Sequence, residues 1–240
     1  MRHAGVWVEW GSPMAWAPYG SDEGGTWHGF QAVRKDFDSI LLKRAKDSGV
    51  VVFAGARGIS PIVCGDRVEG VLSTRGPILA ALTIDAAGHR HWLSRQLGLA
   101  PQVRSRRLIA EYEYVKEEAA LGAPTLNGLP TGWQWQASVG RGRRAVVRVD
   151  LAGSARSGAG KRVDVTWRSC SASGKGWRLA GDASVVLDPS SSHGVLMALM
   201  SGIGAVSMPA EDYARFLAQW FDYNCKRLSK YYGQIGINVE

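Results

Sequence analysis

GWRLAGDASVVLDPSSSHGVLMALMSGIGA, residues Gly176 to Ala205, is the stretch whose reading decides the fold of this chain. A short apolar segment, Trp177 to Ala180, ends at Gly181-Asp182. A turn at Asp188-Pro189 follows, then Ser190 to Ser192, His193 and Gly194, and then an apolar run with helical spacing. A lone acid at a strand end, a tight turn and a glycine where a helix begins suit an extended, anionic ligand lying across the mouth of a sheet. A helix start offers unpaired N–H groups and a partial positive charge. Glycine there lets the backbone approach a ligand without a Cβ in the way.

Outward from that stretch, the chain alternates helical and strand patterns, then changes texture, then returns. GVWVEW (5–10) has strand composition and is followed by a Gly/Pro-rich aromatic loop. KDFDSILLKRAKDSGV reads as a helix, with Asp36 as its cap, Phe37, Ile40, Leu41 and Ala45 on one apolar face, and Gly49 as its stop. VVVF (50–53) reads as a buried strand, and DRVEGVLS (66–73) and ILAALTI (78–84) as two more. Asp85 to Gly88 turns the chain into a short helix, His91 to Leu97. RLIAEYEYV (107–115), AVVRVDL (145–151) and RVDVTWR (162–168) then alternate, which suits an antiparallel sheet with one wet face. Helix–strand periodicity resumes at Trp177 and runs to Tyr232. GSARSGAG (153–160) reads as a flexible loop. An α/β section interrupted by an antiparallel one is the layout of a nucleotide-binding fold carrying an inserted substrate sheet.

Composition narrows the function classes. The chain has 240 residues, is 45% apolar and carries a net charge of +8, enough for a sizeable core and compatible with anionic ligands. Seven of the arginines lie between Arg104 and Arg148, without the aromatic interleaving of RNA-binding segments, so a solvated basic rim is expected rather than nucleic acid. Cys64, Cys170 and Cys225 are odd in number and far apart, which suggests neither a disulfide framework nor a zinc site, and no metal is expected. The longest apolar stretch, Val195 to Met208, is too short to span a bilayer. No charged-then-apolar leader opens the chain, and a cytoplasmic protein is expected. A dinucleotide fingerprint needs G-x-G-x-x-G between a strand and a helix, and no segment supplies it in that setting. Gly158-Ala159-Gly160-Lys161 lacks the earlier glycine of a phosphate loop and has Arg162 where Ser or Thr would hold magnesium.

VRKDFDSILLKRAKDSGV, LTIDAAGHRHWLSRQLGL and GWRLAGDASVVLDPSSSHGVLMALMSG together resemble FAD-dependent monooxygenases, specifically the branch that contains flavin-dependent halogenases and related hydroxylases. The resemblance runs from about Val6 to Tyr232. It implies an α/β (α+β) chain with a three-layer FAD-binding fold, truncated at its N-terminus, and an inserted antiparallel substrate sheet. The expected division is 30–98 with 176–225 for the FAD domain, 1–29 with 99–175 for the substrate sheet, and 226–240 as a C-terminal tail. It also implies an oxidoreductase, most simply a monooxygenase acting through a flavin hydroperoxide on an aromatic or peptide-borne substrate, with a flavin reductase or NAD(P)H as the source of electrons.

Position by position, the resemblance puts Arg34 near the FAD phosphates or ribityl chain and Gly181 and Asp182 at the ribityl–pyrophosphate region. Pro189 and the backbone from Ser192 through His193 and Gly194 to Val195 then face the pyrimidine edge of the flavin, and Asp188 counts among the cofactor-binding residues. A plain turn acid is the other reading of Asp182. His193 is either a proton carrier beside the flavin or a loop residue held by backbone. Trp7, Trp10, Trp133 and Trp135 either line a substrate pocket or pack the core.

The chain departs from the family's pattern at defined places. The ADP-gripping glycine unit is missing, and Met1 falls roughly where it should have ended. Halogenases carry W-x-W-x-I-P, whereas Trp133-Gln134-Trp135-Gln136 is followed here by Ala137-Ser138. Ser191 stands where the tryptophan halogenases place a glutamate, and Arg2 and His3 stand where a halogenase lysine would fall. Halogenation is thereby the less favoured chemistry, and a truncated non-catalytic relative or one subunit of a split flavoprotein is the alternative outside enzymology.

Overall fold

The structure is a computed structural model that describes residues 2–154 and 160–240, so most of the loop expected at 153–160 lies outside the described residues. The architecture is mixed α/β and divides into two compact units. The first comprises Met1–Val52, Leu108–Asp164 and Lys230–Val239; the second comprises Phe53–Arg107, Val165–Ser229 and Glu240. No helix among the described residues is long and apolar enough to cross a membrane.

The first unit is built on a seven-stranded sheet. Its strands, in spatial order, are Lys161–Asp164, Leu108–Lys116, Arg143–Leu151, Gly132–Gly140, Thr125–Leu129, Gly5–Glu9 and Ala15–Pro18. Every pairing is antiparallel except Thr125–Leu129 with Gly5–Glu9. Alternating side chains give the sheet two faces. On one of them Leu108, Ala110, Trp133 and Val149 are all at most 4% exposed. The Trp133 indole N–H donates to the Tyr232 hydroxyl at 3.0 Å, and Tyr232, Ile237 and Val239 complete that core. Gly132 is required where it stands, because a Cβ there would meet the Val149 carbonyl oxygen across the ladder.

The second unit combines three small sheets with helices. Thr83–Asp85 and Trp177–Leu179 pair in parallel, as expected of a βαβ remnant, while Gly58–Cys64, Arg67–Ser73 and Gly76–Leu79 form an antiparallel meander. Val68, Leu93, Trp177, Leu179 and Ala183 are its buried apolar cluster. The helices of the chain are α1 (Arg34–Asp47), α2 (Trp92–Gln96), α3 (Gly194–Ser207) and α4 (Ala210–Gln234). Buried Tyr213, Leu217, Phe221, Cys225 and Leu228 recur at helical spacing along α4.

Several expectations are corrected. Val50 to Phe53 forms no strand and is exposed throughout, because its run of apolar residues finds no sheet edge to join. ILAALTI is broken into two strands that serve different sheets, Gly76–Leu79 in the meander and Thr83–Asp85 in the parallel pair. RVDVTWR is likewise split, with Lys161–Asp164 on the large sheet and Arg168–Ser169 in a small one of the second unit. Residues 30–52 group with the large sheet rather than with 53–98, and 99–107 and 165–175 group with the second unit. Asp36 does not cap α1. Val33 stands at the cap position without a side-chain bond, and Asp36 instead pairs with Arg141 at 3.1 Å. No residue of α1 is buried, so its apolar side, with Ile40 and Leu41, faces outward. Residues 226–240 are no tail, since Leu228 and Tyr232 are at most 2% exposed.

Candidate functional site

The strand Trp177–Leu179 ends in a tight turn, a short 3-10 helix over Gly181–Ala183. Gly181 has φ +58°, a left-handed conformation that glycine adopts without Cβ strain. Its N–H donates to the Ser201 hydroxyl oxygen on α3 at 2.8 Å, and its carbonyl accepts from the Ser184 hydroxyl at 2.8 Å. A Cβ at Gly181 would lie 3.3 Å from the Ala198 Cβ, so the turn is packed directly on α3. Gly181 and Ala183 are buried while Asp182 stays exposed, the one carboxylate this turn presents outward.

A second brace comes from His91. Its Nδ1 lies 2.9 Å from the Ala183 carbonyl oxygen and its Nε2 2.9 Å from Nε of Arg168. A carbonyl only accepts and a guanidinium only donates, so the ring must be the neutral Nδ1–H tautomer. Burial, more than the neighbouring Arg168 and His89 charges, lowers the His91 pKa and agrees with that assignment. Asp85 closes the network. Its carboxylate accepts from the N–H groups of Ala87 and Leu93, each at 2.8 Å, and so holds the start of α2.

Downstream, Asp188 is 1% exposed, and its carboxylate accepts the Ser190 N–H at 2.8 Å. Pro189 occupies the first position of the short turn, where its missing N–H costs nothing. Ser192 then reverses the chain in a left-handed conformation, φ +56°, and α3 begins at Gly194. No side chain caps α3 among the described residues. Gly194, Val195 and Leu196 are exposed, and a Cβ on Gly194 would meet nothing within 4 Å. The first turn of α3 thus presents backbone N–H donors toward open space, an arrangement that favours a negative group. Beyond that turn, Leu199, Met200, Ile203 and Val206 are 44–68% exposed along the same helix.

His193, at the cap position, sits edge-on to Trp220 with ring centroids 5.8 Å apart. Burial lowers its pKa and Arg227 lowers it further, against a hydrogen bond to Asn224 that raises it. Its Nδ1 is buried without a hydrogen-bond partner among the described residues. At neutral pH it is an uncharged imidazole packed on an indole.

The structure brings Gly181, Asp182, Asp188, Pro189, Ser192, His193, Gly194 and Val195 into the second unit, with the Gly181 turn and the helix beginning at Gly194 joined through Ser201. Arg34 belongs to the first unit, where it is exposed and pairs with Asp38 at 3.2 Å within α1. The four tryptophans, all in the first unit, do not share one surface. Trp7 aligns with Thr125 and Gln136 on one face of the large sheet, whereas Trp135 aligns with Leu126 and Val8 on the other. Trp133 is buried core, and Trp10 donates to the Tyr231 carbonyl at 2.6 Å beside it in sequence to Tyr232. Trp7 instead pairs with Trp16, ring centroids 5.3 Å apart. Sequence reading missed Ser201 and Arg168 altogether, took His91 only for the start of a short helix and took Asp85 only for a turn residue. Nothing in their spacing announces that all four brace Gly181–Ala183 or the helix beside it.

No protein-family model matches the chain, and no curated protein does. Among solved structures the chain shares the fold of flavin-dependent halogenases and of a related flavoprotein. It is similar to the flavin-dependent brominase Bmp2, with 21% identity and a TM-score of 0.74 over 96% of this chain and 67% of that one. It is also similar to the myxobacterial chondrochloren halogenase CndH, described as a new variant of FAD-dependent halogenases, with 20% identity and a TM-score of 0.79 over 96% and 67%. A flavoprotein/dehydrogenase from Cytophaga hutchinsonii matches with 21% identity and a TM-score of 0.71 over 91% and 63%. The chain therefore spans about two thirds of the length of each of these proteins.

Proposed function

We propose that this chain is a flavin-binding oxidoreductase of the FAD-dependent monooxygenase type, in which the start of α3 receives the flavin. The observation that carries this reading is the uncapped α3 N-terminus, exposed at Gly194–Leu196 and braced against the Gly181–Ala183 turn through Ser201. Its residues fit the group. The N–H groups of Gly194 and Val195 would hold the pyrimidine edge, where reduced flavin carries negative charge. The carboxylate of Asp182 would accept from ribityl hydroxyls. Asp188 and Pro189 shape the loop between them, and His193, uncharged at neutral pH, is a candidate to accept a proton beside the flavin. Bound flavin supplies a two-electron carrier that reacts with dioxygen. Electrons would come from NAD(P)H, directly or through a flavin reductase, and the substrate would be a small aromatic or peptide-borne group.

Halogenation is the second reading, favoured by the fold shared with Bmp2 and CndH. Ser191 in place of an acid and the absence of a lysine at Arg2 or His3 weigh against it. The test is titration of the purified chain with FAD and with riboflavin, followed by quenching of flavin fluorescence. Binding that falls about tenfold or more in Gly194→Val, where a side chain would crowd the donors, supports the reading. Absence of binding by both flavins at millimolar concentration overturns it.

A further inference from the structure

Alternation along the Leu108–Lys116 strand sorts its charges by face. Tyr112, Tyr114 and Lys116 share one side of the sheet, and Glu111 and Glu113 the other. The register extends the pattern across neighbouring strands. Tyr112 lies opposite Val147 and Lys161, Tyr114 opposite Ala145, and Lys116 opposite Arg143. The tyrosine face therefore holds Lys116, Arg143 and Lys161, while Asp150 and Asp164, both aligned with Ile109, fall on the far side with Glu111 and Glu113. Over these three strands, one face is aromatic and cationic with no acid on it.

That face is open at its end. Tyr112 and Tyr114 are 38% and 46% exposed, and Lys116, Arg143 and Lys161 are all exposed. A cavity of about 590 Å³ is lined there by Tyr114, Lys116, Glu117, Arg141 and Arg143, with Val115 and Gly142. Its acid is already engaged: Glu117 Oε1 accepts from the Ser138 hydroxyl at 2.6 Å and from the Leu121 N–H at 3.3 Å. Arg141 is held by Asp36 at 3.1 Å. Lys116 and Arg143 remain, two like charges directly opposite in an antiparallel pair, a placement that repels. Neither is ion-paired among the described residues. An anion between them would relieve the repulsion, and a planar guanidinium grips a carboxylate through two parallel N–H bonds. The exposed tyrosine rings beside them offer a stacking surface.

We propose that this corner of the sheet binds a planar aromatic carboxylate, with its ring on Tyr114 and Tyr112 and its carboxylate between Lys116 and Arg143. The site lies wholly within the first unit and needs no flavin. The test uses the flavin-free 240-residue chain and calorimetric titration with indole-3-acetate, indole and tryptamine, which share a ring and differ in charge. Indole-3-acetate should bind about tenfold or more tightly than indole, tryptamine should bind worst, and added salt should narrow the difference. Arg143→Gln should remove the advantage of indole-3-acetate while leaving indole unchanged, and Tyr114→Ala should weaken both. Lys116→Gln, also at an exposed position, serves if Arg143→Gln does not fold by circular dichroism. Equal affinity for the three probes, or an advantage that survives both charge substitutions, overturns the proposal. Because no flavin is present, either result leaves the flavin titration of the α3 site to stand or fall by itself.

Discussion

The backbone N–H of Gly181 donates to the hydroxyl oxygen of Ser201 at 2.8 Å, which pins a turn at the end of a strand to the middle of α3. Ser201 is fully buried. Ser201→Ala should leave the Gly181 N–H without a partner and cost about 1–3 kcal/mol. Gly181→Ala should also destabilise, since a Cβ at φ +58° is strained and lies close to Ala198. Urea denaturation of the two variants measures both effects. A Ser201→Ala chain as stable as the parent would show that the pin carries no weight.

Stability should fall on mild acidification. His91 has an ordinary pKa of 6.5 in the unfolded chain and a lowered one in the fold, so the unfolded state binds more protons in the window between them. Stability is therefore full above about pH 6.5 and declines as pH drops from there toward the folded pKa. His193 is lowered as well and acts with the same sign. His91→Gln should flatten part of this dependence, and His193→Gln the rest. Thermal melts from pH 5 to 8 should show it, and parallel profiles for parent and double variant would contradict it.

The tryptophans should separate into two groups. Trp133 is 1% exposed and bonded to Tyr232, so Trp133→Ala should cost about 3–5 kcal/mol. Tyr232→Phe, which only removes the hydroxyl partner of the indole N–H, should cost about 1–3 kcal/mol. Trp7 is 42% exposed and loses chiefly its ring contact with Trp16, so Trp7→Ala should cost about 1 kcal/mol. Equal losses at Trp7 and Trp133 would refute the assignment of the two to pairing and to core.

FAD and riboflavin should bind the 240-residue chain within about threefold of one another. On the proposed reading, the donors of the α3 site would reach the flavin and ribityl parts that both share, and no G-x-G-x-x-G between strand and helix is present in these 240 residues to grip a pyrophosphate. A marked preference for FAD, about a hundredfold, would require a phosphate site elsewhere in the chain.

Local chemistry was legible in the chain wherever a residue's role depends on its immediate neighbours. The turn at Asp188-Pro189 and the helix starting at Gly194 are short-range consequences of residue type. The alternation of 107–115 and 145–151 likewise announced an antiparallel sheet, because a pleat places every second side chain on the same face. The tertiary structure decided what periodicity cannot encode, namely which apolar surface finds a partner. Val50 to Phe53 and the Ile40 side of α1 have core composition and remain exposed, whereas Tyr232 and Val239, near the chain end, are buried. ILAALTI reads as one strand, yet its halves hydrogen-bond to different partners. The pairing of Gly181 with Ser201, of His91 with Ala183 and of Lys116 with Arg143 was equally invisible, for the same reason: hydrogen bonds and charge contacts across sequence distance depend on how strands and helices stack, and stacking is set by the whole packed core rather than by any one segment.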